Sequence, residues 1–150
     1  MISTKQFLTF TLISLAAVAF AQHKPTIKSI EFSKVSRGYE ERVTITPDSI
    51  HTWMDNHRGQ KNPSSTKSVM DSKQWAGILD TIQGLNLKEL SSLPSPTMKR
   101  ATDAAMHGTI TITTQDGTSY SHGFDDENPH IDLMPLLKKI KEVSGIDKHR

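Results

Sequence analysis

The chain contains no cysteine. A disulfide framework, a thiol nucleophile and a lipid attached to an N-terminal cysteine are thereby excluded, and a packed core must hold the fold. Net charge is also scarce. The formal value is +2 over 150 residues, which gives no reason to expect nucleic acid or an anionic membrane as partner. No apolar run after residue 21 approaches the roughly 20 residues of a spanning helix, so a soluble domain is expected there. Catalytic signatures are missing too. There is no His-Glu-x-x-His, no Gly-x-Ser-x-Gly elbow, no Gly-rich phosphate loop and no EF-hand spacing. Glu40 and Glu41 are neighbours on a predicted strand, point to opposite faces and cannot share a substrate.

What is present begins with a leader. Lys5 supplies a positive start, Phe7 to Val18 is largely apolar, and Ala19-Phe20-Ala21 places small residues where a signal peptidase reads them. Residues 1–21 are therefore expected to be a secretory signal peptide cut before Gln22, and the product periplasmic or secreted. Residues 22–150 then form one domain of 129 residues, a suitable length for a single core. Losing Lys5 brings the formal charge to +1.

The domain is organised around Met106 to Val143. Residues 106–114 alternate small polar and apolar side chains with period two, Asp116-Gly117 signals a type I′ hairpin turn, and Thr118 to Phe124 returns as the partner strand. With Asp116 and Gly117 as the loop, Ile112 faces Ser121 and Ile110 faces Gly123. Thr113, Thr111 and Thr109 then meet Tyr120, His122 and Phe124 on the other face. That second face reads as a semi-polar surface left open to water or a partner.

Upstream, Ile30 and Phe32 alternate with Val35 one step out of phase. Ser36-Arg37-Gly38 turns, and Tyr39, Glu41, Val43 and Ile45 share one strand face. Ile50 to Met54 reads as a third strand, and Asp55 to Lys67 as an exposed loop bearing Arg58 and Lys61. Asp71-Ser-Lys-Gln74 has the form of a capping box before the stripe Trp75, Ile78, Leu79, Ile82, with Gly84 as a left-handed stop. Leu87, Leu90 and Leu93 suggest a further short helical turn. A last helix begins near Asp132, carries Leu133, Leu136, Leu137, Ile140 and Val143, and ends at Gly145. The expected fold is α+β: a two-layer sandwich with an antiparallel sheet of four to five strands and two helices on one face.

Candidate chemistry is thin. His107 and His122 would share the open hairpin face, where they could join a metal set with the acidic loop Asp125-Asp126-Glu127 in a metal-dependent hydrolase. Read as solvent-facing strand histidines and a solvated turn before Pro129, they hold no metal, and this is the reading adopted. Arg100 and Asp103 read as a salt bridge tying down a loop. No catalytic residue, metal ligand or cofactor is assigned. His107, Tyr120 and His122 are the candidate ligand-binding residues.

Ser36-Arg37-Gly38-Tyr39, Trp75, Ser95-Pro-Thr-Met-Lys-Arg100, Asp103-Ala-Ala and Tyr120 with Phe124-Asp125 resemble small exported bacterial proteins of uncharacterised function. The strand-strand-helix-strand-strand-helix order is more distantly similar to emfourin-type protein inhibitors of metalloproteases. The resemblance implies protein binding but transfers no inhibitory residue. The expectation is thus a non-catalytic exported domain that binds a protein or small ligand through its open sheet face or turns, with a structural envelope component as a further reading.

Overall fold

The structure, a computed structural model, describes residues 25–57, 62–99 and 105–146. The expected leader, Arg58, Lys61, Arg100 and Asp103 lie outside these ranges. Six strands, β1 (Ile27–Ser36), β2 (Tyr39–Ile45), β3 (Ser49–Asn56), β4 (Ser64–Val69), β5 (His107–Thr114) and β6 (Ser119–Asp125), form one antiparallel sheet in the order β4-β3-β2-β1-β5-β6. Helix α1 (Ser72–Ile82) follows β4, a 3-10 segment (Leu87–Ser92) follows α1, and α2 (Met134–Ser144) closes the described chain after a 3-10 turn at Ile131–Leu133. The α+β expectation holds, with one strand more than the largest count anticipated.

The extra strand is β4, which the sequence placed mostly in an exposed loop. All its residues are exposed, so it carries no apolar alternation to read. It exists because its backbone pairs with β3, from Ser49 opposite Val69 to Met54 opposite Ser64.

Cross-strand partners share a face, so the register sorts the sheet into rows. One inward row runs Ile50, Ile45, Ile30, Ile112, Tyr120, and the next runs Thr52, Val43, Phe32, Ile110, His122. These rows bury their apolar members in one core with Ile78 and Ile82 of α1 and Leu136, Leu137 and Ile140 of α2. The capping box of α1 is complete. Asp71 Oδ1 accepts the Gln74 N–H at 2.8 Å, and Gln74 Oε1 accepts the Asp71 N–H at 3.2 Å. Gly145 ends α2 at φ 67°, as expected, whereas Gly84 does not take up the left-handed conformation. Asp132 is not the cap of α2. The chain winds as a 3-10 turn first, with the His130 side chain accepting the Asp132 N–H.

The central hairpin departs from expectation by one residue. Only Gly117 has positive φ, at 86°, and Asp116 does not, so the turn is not type I′. Residues 115–117 form a three-residue loop closed by Gly117 N–H to Thr114 O and Thr114 N–H to Thr118 O, each 2.9 Å. Ile112 consequently faces Tyr120, Ile110 faces His122 and Gly108 faces Phe124. Thr109, Thr111 and Thr113 lie opposite Gly123, Ser121 and Ser119. The expected open face of Thr, Tyr, His and Phe is therefore corrected: Tyr120, His122 and Phe124 turn inward with the isoleucines. A single added loop residue moved a whole strand to the other side.

Gly108 makes a close approach possible. Phe124 lies across it toward Phe32, with ring centroids 6.4 Å apart and planes within 7°. A Cβ at Gly108 would fall 2.4 Å from Phe124 Cε2 and 2.9 Å from the Asp126 carbonyl oxygen. Gly108→Ala is expected to destabilise the fold by about 1–3 kcal/mol, the usual cost of overpacking. Urea unfolding measures it, and unchanged stability would show that Phe124 has another rotamer to use.

In the turn, a hydrogen bond from the Thr114 hydroxyl, seconded by the Thr118 backbone N–H, holds the Asp116 carboxyl below its ordinary pKa of 3.8. A carboxyl lowered in this way supports the folded turn above 3.8, and the support fades as pH falls through the lowered value. Thr114→Val should return the Asp116 titration, followed by NMR, toward 3.8. An unmoved titration would take the hydroxyl out of the account.

Candidate functional site

Below the two apolar rows lies a third: Met54, Glu41, Lys34, Gly108, Phe124. It puts a lysine and a glutamate on the inward face, 1% and 3% exposed. The β1–β2 turn sets them opposite each other, and Lys34 Nζ stands 3.0 Å from Glu41 Oε2. The Tyr39 hydroxyl donates to the same Glu41 oxygen at 3.0 Å. Lys34 Nζ also donates to Glu127 Oε1 at 2.7 Å, while Lys141 of α2 donates to Glu127 Oε2.

Glu127 reaches both lysines from a tight turn in which Asp126 takes φ 55°, a conformation aspartate tolerates. The Asn128 N–H donates to Asp125 O at 3.1 Å across the same turn. Among the described residues, two ammonium and two carboxylate groups thus form a network joining β1, β2, the turn after β6 and α2. A cleft of about 560 Å³ opens beside it, lined by Lys34, Tyr39, Met54, Asn56, Met106, Asp126 and Glu127. The network was readable in principle. Lys34 continues the Ile30, Phe32 alternation that Val35 breaks, and Val35 is exposed instead.

The acidic loop is not a solvated turn. Asp125 is buried, and its Oδ2 accepts the Thr97 hydroxyl and, at 2.7 Å, the Lys99 N–H, pinning the connection before β5 to the sheet. Asp126 Oδ1 accepts the Met106 N–H at 3.1 Å. Its three carboxylates are engaged separately, and among the described residues no group of three His, Asp or Glu is placed to hold a metal ion.

His107 opens β5 on the outward side, exposed. His122 is 2% exposed on the inward side, stacked on Phe124 at 5.8 Å, its Nε2 accepting the His130 N–H at 3.4 Å. The two histidines lie on opposite faces and do not make one ligand set, for the register reason given above. Tyr120 is half-buried against the core. The structure therefore brings none of the three candidate binding residues to a common surface.

Two other concavities bear on recognition. An apolar groove of about 340 Å³ runs between α1, the start of the following 3-10 segment and the start of β1, walled by Ile27, Trp75, Leu79, Ile82, Leu85 and Leu87. On the outward face of β1–β3 is a hollow of about 440 Å³ lined by Glu31, Glu40, Arg42, Thr44, His51 and Trp53. Arg42 and Trp53 are direct cross-strand partners. Arg42 is held between Glu40 (Nη2–Oε1, 2.8 Å) and Glu31 (Nε–Oε1, 3.8 Å). His51 Nε2 is 2.8 Å from Ser65 Oγ. That distance suits a base and a nucleophile, but no hydrogen-bonded carboxylate orients the other imidazole nitrogen among the described residues. Sequence reading passed over Trp53, although alternation from the buried Ile50 already sets it with His51 on the opposite face.

Removing one member of a buried ion pair leaves its partner uncompensated, at about 3–5 kcal/mol. Lys34→Met should lose stability on that scale in urea unfolding. Lys34→Met with Glu41→Leu should recover most of the loss, since Glu127 retains Lys141. A double variant no more stable than the single one would show that Glu41 does not need Lys34. Compared with known proteins, the chain matches no protein-family model and no curated protein.

Proposed function

We propose that this chain is an exported binding domain that takes its partner on the outward face of its sheet. One observation carries the reading: Trp53 stands in a hollow on the side away from the buried rows, with Arg42 held between two glutamates beside it. A large amphipathic ring at a surface concavity, next to charged groups already fixed in position, is how recognition sites limit the cost of ordering on binding. Inhibition of a protein partner is one form that such binding would take.

The export reading rests on the leader, and the binding reading does not depend on it. The groove beside Trp75 offers apolar walls with few hydrogen-bonding groups, so it serves as the comparison site.

The chain purified after export, immobilised and exposed to envelope extract, should retain a partner that Trp53→Ala loses and Trp75→Phe keeps. Equal retention by Trp53→Ala, or none by the unmodified chain, would overturn the reading.

A further inference from the structure

We infer that the hollow around Trp53 recognises an uncharged glycan, an inference that rests on the outward-face reading and names its ligand class. The hollow spans three successive outward rows, Glu31–Thr44–His51, Arg42–Trp53 and Glu40 on β2. Rows on one face repeat every two residues, so they are about 7 Å apart. A partly exposed indole with hydrogen-bonding groups one row to either side matches the dimensions of a sugar ring, which has an apolar C–H face and hydroxyls around its edge.

The electrostatics narrow the class. The indole face is the negative part of the ring quadrupole and favours the weakly positive C–H groups of a sugar. Glu31 and Glu40 are acceptors, Arg42 is a planar donor fork, and Thr44 and His51 add a hydroxyl and an imidazole. A hydroxyl both donates and accepts, so neighbouring sugar hydroxyls can answer carboxylate and guanidinium together.

Glu31 and Glu40 outnumber Arg42 among the lining residues, which disfavours phosphate, sulfated or uronic acid ligands. A cation gains little either, because Arg42 is the direct cross-strand neighbour of Trp53 and adds a like charge to the same hollow. Arg42 already pairs with Glu40 at 2.8 Å and with Glu31 at 3.8 Å, which lowers part of the cost of ordering its fork on binding. At about 440 Å³ the hollow lies within the range of small-ligand sites.

The chain has two tryptophans, so Trp75→Phe leaves Trp53 as the sole indole reporter. This variant is titrated by fluorescence with chitotriose, cellotriose and maltotriose, and separately with free lysine and a sulfated oligosaccharide. At least one neutral trisaccharide should give a saturable change. By calorimetry on the otherwise unmodified chain, Trp53→Ala should weaken that ligand by about tenfold or more. Arg42→Met should weaken it too, with thermal unfolding unchanged.

No response to any neutral trisaccharide, equal affinity in Trp53→Ala, or tighter binding of lysine or the sulfated sugar would each overturn the glycan assignment. The same trisaccharides are offered as competitors against the partner retained from envelope extract. If that partner needs Trp53 but no sugar binds or displaces it, the glycan class fails and the outward-face reading stands. If the partner does not need Trp53, both fail.

Discussion

A lysine ammonium held between two carboxylates beneath a helix is the constraint on which the lower end of this fold depends. Lys34 can be buried beside Phe32 only because Glu41 and Glu127 meet it at hydrogen-bonding distance. Their geometry comes from three separate pieces of chain. The β1–β2 turn sets Glu41 across from Lys34, the turn after β6 carries Glu127, and α2 presents Lys141 to the same carboxylate. Apolar packing positions the helices over the upper rows without direction. The network fixes where α2 ends relative to the sheet, because charge-assisted hydrogen bonds tolerate little displacement.

The same end of the sheet is tied a second time. Asp125 anchors the connection before β5 through Thr97 and Lys99, and Gly108 lets Phe124 reach Phe32 across a strand with no side chain in the way. Polar and apolar constraints thus converge on one short region, whereas the opposite end is held mostly by isoleucine and leucine. The outward side chains of the sheet are linked instead by cross-strand contacts such as Thr111 with Ser121 and Arg42 with Glu31, and by the Arg42–Glu40 pair along β2.

Much of the architecture was legible because it is written in period and caps. The alternation of β1, β2 and β5, the capping box at Asp71 and the left-handed stop at Gly145 each have a local physical cause, and each appears where expected. β4 has no such cause within its own residues. Its pairing with β3 is a backbone matter, and serine and threonine look the same in a loop. The hairpin turn failed for a subtler reason. Asp-Gly suits both a two-residue and a three-residue loop, and the Thr114 hydroxyl, bonded to Asp116, goes with the longer one. That single choice sent Tyr120 and His122 inward and emptied the proposed surface. Trp53 stayed hidden for a different reason, since the residues that make a hollow around it come from β1 and β2 and not from its neighbours in sequence.

The edge strand β4 supplies no buried side chain to the core, and its largest apolar residue, Val69, is 83% exposed. Hydrogen bonds to β3 are then its main attachment, and nothing in the interior is lost when they part. Opening at this border is decoupled from global unfolding, so amides of β4 would exchange with solvent while those of β1 and β5 remain locked. The sheet thus has one margin whose opening would leave the core intact, and the outward hollow beside Trp53 lies next to it.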